Sequence, residues 1–340
     1  MKIKITIAVL FSIAAILFGI AIGSVNIPPG DILRIIGHNI FGSSLPEHIT
    51  ASRVAIVWYS RLPRTLLAFC AGATLSVSGA VMQSVLRNPL ASSYTLGVSS
   101  GASLGASLVF FIGVTLPFIP MFTLPILGFS FGLGTILIVM AIARQLDVRM
   151  ENQTIILTGM VFSLFINAIT TMMFAFFRES MQQMVFWQMG SFSTRGGWNT
   201  VHILAPVALM GIIFIARYKW ELDVMTFGEE QAQTIGVNIK RVKLTLLIVA
   251  AALTGSTIAF VGVIGFVDLV APHVVRRIFG SAHRYVIPMS AIVGGGFMVL
   301  ADLAARTVAA PVELPVGAVT ALIGAPFFAY IYFSKRKERA

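Results

Sequence analysis

The sequence predicts an all-α membrane protein, a single transmembrane domain over residues 1–340 built from ten membrane-spanning helices, and three observations carry that reading. First, 57% of the 340 residues are hydrophobic and 11% charged, against roughly 25% charged in soluble domains, with a mean hydropathy of +0.91. Second, ten apolar stretches follow one another, each near the roughly 20 residues that cross a bilayer as a helix. Third, Lys and Arg collect on every second connection between them. Ten spans leave no room for a sizeable soluble domain. The lone Cys70 excludes an intramolecular disulfide and any cysteine-based metal cluster.

The stretches run in order as follows. Residues 5–25 come after Lys2 and Lys4. A secretory signal peptide is the rival reading, but Ile5 to Ile22 is long for its apolar region, and removing it leaves an odd number of spans. Residues 62–85 carry Gly72, Ser76, Gly79 and Gln83 at intervals of four, three and four, one continuous stripe of a helix. Residues 93–113 contain Gly97, Gly101 and Gly105, a doubled small-xxx-small pattern that lets another helix approach closely. Residues 120–143 end at Arg144, and residues 154–177 place Ser163, Asn167, Thr170 and Thr171 on a second polar stripe. Residues 198–217 and 242–261 are the sixth and seventh stretches, and 263–279 contains Asp268, Pro272 and His273. Residues 285–308 carry Asp302 four positions before Arg306, and 312–333 lead into the basic run at Lys335. Both stripes suit ordinary bundle packing. With Asn167 at mid-depth, the second also suits the lining of a pore, and Gln83 belongs with it as a translocation-path candidate.

A cytoplasmic N-terminus puts all but seven of the 24 basic residues inside, the seven being Arg34, Arg53, Arg61, Arg64, Arg178, Arg195 and Arg306. Both termini are then cytoplasmic. This asymmetry accounts for the net charge of +11 without nucleic acid as a partner. Asp268 and Asp302 lie in apolar surroundings where an unpaired charge is expensive. Proton or ion coupling is one reading. Internal pairing is the other: Asp302 with Arg306 at i,i+4, and Asp268 with His273 or Arg276.

Enzymatic motifs are absent. No Gly-Lys-Ser/Thr occurs, so the chain has no P-loop of its own, and no His-Glu-x-x-His or metal cluster is present. Gly101-Ala-Ser-Leu-Gly105 matches the nucleophile-elbow pattern in letters only, because it lies inside an apolar helix and not at a strand-to-helix turn. Neither a cofactor nor a metal is expected. The inner connection between the sixth and seventh spans is more structured. Thr226-Phe-Gly-Glu229 reads as a capping box opening a short helix to Ile235. Gly236 suits the residue after that helix, and Asn238 caps the next one. Two short helices on the cytoplasmic face suit docking of a soluble partner, although a solvated loop would have the same composition.

Several of these residues fall into an ordered series: Arg61-Leu-Pro-Arg-Thr65, Gly79-Ala-Val-Met-Gln83, Asn88-Pro-Leu-Ala91, Leu96-Gly-Val-Ser99, Gly262-x-x-Gly-Phe266, Pro272-His273, Asp302, Glu313-Leu-Pro-x-Gly317 and Gly324-Ala-Pro326. The series, from about residue 55 to 330, resembles the permease subunits of iron-siderophore, haem and cobalamin (FecCD-like) ABC importers. The resemblance implies the type II importer permease fold, a ten-helix subunit that pairs with an identical or paralogous permease around one path. It further implies two cytoplasmic ATPase subunits and an extracytoplasmic binding protein. By the same resemblance the ATPase-coupling helices fall at about 226–240, on Thr226, Gly228, Glu229, Glu230 and Gly236. The cytoplasmic gate falls on Asn152 and Gln153, where the cobalamin member has small hydroxyl residues, and binding-protein docking falls on Arg61, Arg64 and Arg306. The expectation is a transport subunit of the bacterial cytoplasmic membrane that moves a ferric siderophore and performs no chemistry itself. Haem or cobalamin is the alternative cargo, and a proton- or ion-coupled secondary transporter is the alternative of another class.

Overall fold

The computed structural model describes residues 1–23, 25–193 and 197–337. Arg195 and Arg339, both counted in the charge asymmetry, lie outside them. Fifteen α-helices occur among the described residues: α1 (Lys2–Ala21), α2 (Pro29–Phe41), α3 (Ala51–Ala55), α4 (Leu62–Val85), α5 (Val98–Ile112), α6 (Thr123–Leu146), α7 (Asn152–Phe176), α8 (Met181–Gln188), α9 (Trp198–Ala216), α10 (Lys219–Met225), α11 (Glu229–Thr234), α12 (Ile239–Val261), α13 (Val267–Phe279), α14 (His283–Thr307) and α15 (Val316–Lys337). No strand occurs among these residues. Seven helical segments are long and apolar enough to cross a membrane: α1, the continuous Ala51–Val85 rod, Pro120–Leu146, α7, α9, α12 and α14. The remaining expected spans correspond to α5, α13 and α15, of which α5 has 15 residues and α13 has 13.

Local chemistry explains where these bounds depart from the apolar stretches. The third stretch starts at 93, but Gly97 adopts φ +84 and α5 begins only at Val98. Glu313-Leu-Pro holds the last stretch extended until Val316, because a residue before proline is biased away from the helical region. The second span extends outward beyond residue 62. There α3 passes through a widened helical turn at Ile56–Arg61 into α4, and Pro63, in the first turn of α4, needs no amide hydrogen. Helix α2 lies outside the ten apolar stretches because it is amphipathic and not continuously apolar. Buried Asp31 anchors it, 3.1 Å from His48 and 3.7 Å from Arg53.

Helix α4 is the centre of the molecule, packed on α9, α12, α13 and α14. Its stripe is the reason. Gly72 lies against the Gly294 carbonyl of α14, and Gly79 against the backbone of Asp268 at the start of α13, with no room at either for a Cβ. Gly101 and Gly105 of α5 abut the backbone of α6 in the same way. These glycines give the backbone-to-backbone approach that membrane helices use in place of a hydrophobic driving force.

Candidate functional site

At the N-terminal end of α4, three arginines and two carboxylates form an internal network. The last carbonyls of α1 lack helical partners, and Arg61, 5% exposed, supplies them. It donates to Ile20 O at 3.0 Å, Ala21 O at 2.9 Å and Val25 O at 2.6 Å. Arg64 forks between Asp302 at 2.8 Å and Glu313 at 2.9 Å. Arg306 lies 3.7 Å from Asp302 and donates to the Gly19 carbonyl. The expectation that Arg61, Arg64 and Arg306 project outward as a docking surface is therefore corrected: unpaired carbonyls and a buried carboxylate draw all three inward. Asp302 forms the expected i,i+4 pair with Arg306, yet its nearer partner is Arg64. Glu313, in the connection outside the spans, is pushed up by partial burial, but hydrogen bonds and charge from Arg64 outweigh this and hold it below the usual carboxylate range.

At mid-depth, Ser163 and Asn167 of α7 face Ser99, Ser100 and Ser103 of α5 and Gln188 of α8 across a cavity of about 340 Å³. Ser100 and Ser163 hydrogen-bond across it at 2.6 Å. A second cavity of about 520 Å³, lined by Asp268, Phe266 and Gly317, adjoins it. Tyr94, Gln188 and Val263 line both. Hydroxyl and amide groups at this depth can replace water around a polar solute without fixing it by charge.

The other path candidates lie elsewhere. Thr170 is buried and donates to Ile166 O at 3.1 Å, while Thr171 donates to Asn167 O at 2.8 Å; both satisfy their hydroxyls on their own helix. Gln83 donates to Asp268 O at 3.1 Å and accepts from Arg276. It lines a separate cleft of about 270 Å³ with His283 and Thr226. A polar residue in an apolar helix first finds the nearest internal partner, and none of these three lines the chamber at Ser163 and Asn167.

Between α10 and α11 the predicted capping box does not form. Thr226 closes α10 and donates to Asp223 O at 2.6 Å. Gly228, with φ +133, opens α11. Glu229 turns to the wholly buried Lys243 of α12, 2.7 Å away. Gly236 behaves as expected, with φ +94: its N–H reaches Gln233 O and that of Val237 reaches Ala232 O, the paired closure of a helix by a left-handed glycine. Asn238 caps α12 through the Arg241 amide at 3.1 Å. Phe227, Glu230 and Ile235 remain exposed.

Two further features escaped the sequence. Lys243 donates to Met150 O at 3.0 Å, in the turn before α7. A relay also joins α10 to α4 and α13: Asp223 to His283 at 2.7 Å, His283 to Ser84 at 2.7 Å, and Ser84 to Arg276 at 2.9 Å. Their signal was present for Lys243 alone, a lysine on the apolar stripe of Ile239, Val242, Leu246 and Leu247. Asn152 is the first residue of α7 and half-buried, and Gln153 is exposed. The turn before them is wrapped by Asp147, which accepts the amides of Arg149 at 2.8 Å and Glu151 at 2.6 Å. Those bonds hold its carboxyl below the usual range.

Comparison with known proteins fits this geometry. The family model described as the FecCD transport family matches residues 10–334. The chain is 42% identical to the uncharacterized ABC transporter permease protein YvrB of Bacillus subtilis, over 96% of this chain and 92% of that protein. It is 36% identical to the Fe(3+)-citrate import system permease protein YfmE of the same organism, over 83% and 84%. Other relatives bear the names of cobalamin, haemin and molybdate permeases. Among solved structures, one of the metal-chelate ABC transporter type in an inward-facing conformation superposes with a TM-score of 0.84 at 28% identity, covering 98% of this chain and 99% of that one. The chain is a membrane transport subunit and not an enzyme, and it belongs to the FecCD transport family.

Proposed function

We propose that this chain is the permease of a bacterial importer for ferric siderophores, working as one of two permease subunits with two cytoplasmic ATPases and an extracytoplasmic binding protein. The single observation that carries the reading is the polar chamber at Ser163 and Asn167. It opens beside a broad exposed face of α7, including Leu164, Phe165 and Met172. A wall lined by hydroxyls on one side and incomplete on the other suits a path that a second copy closes. α5, α13 and α15 complete ten spans, and both termini lie in the cytoplasm of a cell whose inner membrane holds the protein. Thr226, Gly228, Glu229, Glu230 and Gly236 form the ATPase contact, and Asn152 and Gln153 form the gate. Iron-citrate relatives support a ferric chelate as cargo.

A cobalamin cargo is the second reading, favoured by 38% identity to the cobalamin permease of Halobacterium salinarum. Ion-coupled transport loses its motivation at Asp302, which is ion-paired twice. The test is reconstitution with the ATPase and binding protein in liposomes. Radioactive iron presented as a siderophore complex should enter only with ATP inside the ATPase-bearing compartment. Uptake driven by a proton gradient without ATPase would refute the importer reading, and ATP-dependent uptake of cobalamin alone would replace the cargo.

A further inference from the structure

Lys243 presents a problem of physical chemistry. A wholly buried ammonium on the apolar stripe of α12 is costly to desolvate, and an aliphatic residue would pack there at no such cost. Its two partners belong to segments far apart in sequence. Glu229, 2.7 Å away, is the first residue of α11, and Met150, whose carbonyl accepts at 3.0 Å, lies two residues before Asn152. Met150 has φ +54, a conformation that non-glycine residues rarely adopt. The turn that holds it is fixed by Asp147 from one side and by Lys243 from the other.

We infer that Lys243 is a positioning residue for transport: it ties helix α11 to the turn that starts α7, so that a displacement of α11 is delivered to Asn152 and Gln153. The inference rests on the reading of α10–α11 as the ATPase contact. Helix α11 has six residues and buries only Ala232. Apolar packing of so small a surface can transmit a push but slides under a pull. Short charge-assisted bonds from one ammonium to both segments transmit either direction. The ammonium has three donors, enough to hold both partners at once, and its stem is carried by a rigid helix.

The test uses the complete transporter, permease with ATPase and binding protein, in liposomes. The readout is uptake per ATP hydrolysed, alongside co-purification of the ATPase and thermal unfolding. Lys243→Met should still assemble and hydrolyse ATP, with uptake per ATP down about tenfold, within the range of ordinary coupling between sites. Glu229→Gln should lower uptake per ATP in the same way even if Lys243→Met fails to insert, with any loss of ATPase recruitment at this contact residue read separately from co-purification. The double variant should fall no further than either single one, since both remove one interaction. Lys243→Arg, which keeps the charge, should recover part of the ratio. Unchanged uptake per ATP in either single variant would overturn the tether. So would a parallel fall in uptake, hydrolysis and unfolding temperature with no recovery in Lys243→Arg. If the unaltered chain recruits no ATPase, the docking reading itself fails; if it does and the variants remain coupled, only the tether fails.

Discussion

Replacing Asp302 by Ala should destabilise the permease by about 3–5 kcal/mol, the usual cost of removing one partner from a buried ionic pair. Asp302 is 2% exposed, with Arg64 at 2.8 Å and Arg306 at 3.7 Å. At an effective dielectric constant near 20, those separations correspond to gross attractions of about 6 and about 4 kcal/mol. Desolvating the three charges offsets much of that sum. The variant forfeits the attraction while leaving two guanidinium groups buried, and Glu313, 41% exposed at its side chain, is ion-paired with Arg64 alone and compensates them in part. Cys70 provides the assay: it is the only cysteine in the chain and lies on α4 six residues from Arg64. In detergent at fixed temperature, labelling by a thiol-reactive fluorogenic dye reports opening around α4. A loss of about 3 kcal/mol multiplies the opening equilibrium about 100-fold, and the opening-dependent part of the labelling of the half-buried Cys70 should accelerate. Adding Arg64→Met should recover part of the loss by removing one stranded cation. Labelling at the original rate in Asp302→Ala would refute the reasoning that the carboxylate holds this end together.

Gly79→Val should reduce the yield of monodisperse protein in size-exclusion chromatography, because even a Cβ falls 2.6 Å from the Asp268 carbonyl carbon and overpacking costs about 1–3 kcal/mol or more. The Glu313 carboxyl has a folded pKa below its usual 4.5, so its contribution is present above that value and is lost as pH falls through the lower folded one. The unfolding temperature should therefore fall on acidification below about pH 4.5, and Glu313→Gln should flatten that dependence. In a Cys70→Ser background, Asn152→Cys should crosslink between two permease subunits when the gate is closed; no crosslink in any nucleotide state would remove Asn152 from the gate.

Most of the helices were legible because each apolar run is long and bounded by charges, and a bilayer leaves few alternatives for such runs. The side-chain roles were less legible, for a consistent reason. Arg61 and Arg64 read as exposed cations because their partners are the frayed end of α1 and residues more than 200 positions away. Thr226 fits a capping box in letters, yet α10 reaches it first and takes its hydroxyl, while Glu229 is drawn to a distant lysine. Gly236 and Asn238 were read correctly because a left-handed residue and a helix cap depend only on their immediate neighbours. Gln83 and Asn167 illustrate the same division. Both are amides on polar stripes, but only the second faces the chamber between α5 and α7, whereas Gln83 is held by Asp268 and Arg276.

The glycine seams around α4 also bear on how the subunit can move. Contacts between backbones without intervening side chains have no rotamers to rearrange, so α4 cannot tilt against α14 or α13 without opening a void in a medium that has no water to fill it. Those three helices travel together as a keel. The opposite side of the chamber is built differently. There α5 meets α7 through a hydroxyl pair at Ser100 and Ser163 that can exchange one acceptor for another, and much of α7 has no neighbour within the chain. On the proposed reading, opening and closing of the path should involve α7 more than α4, and substitutions that alter transport without unfolding the protein should accumulate on α7.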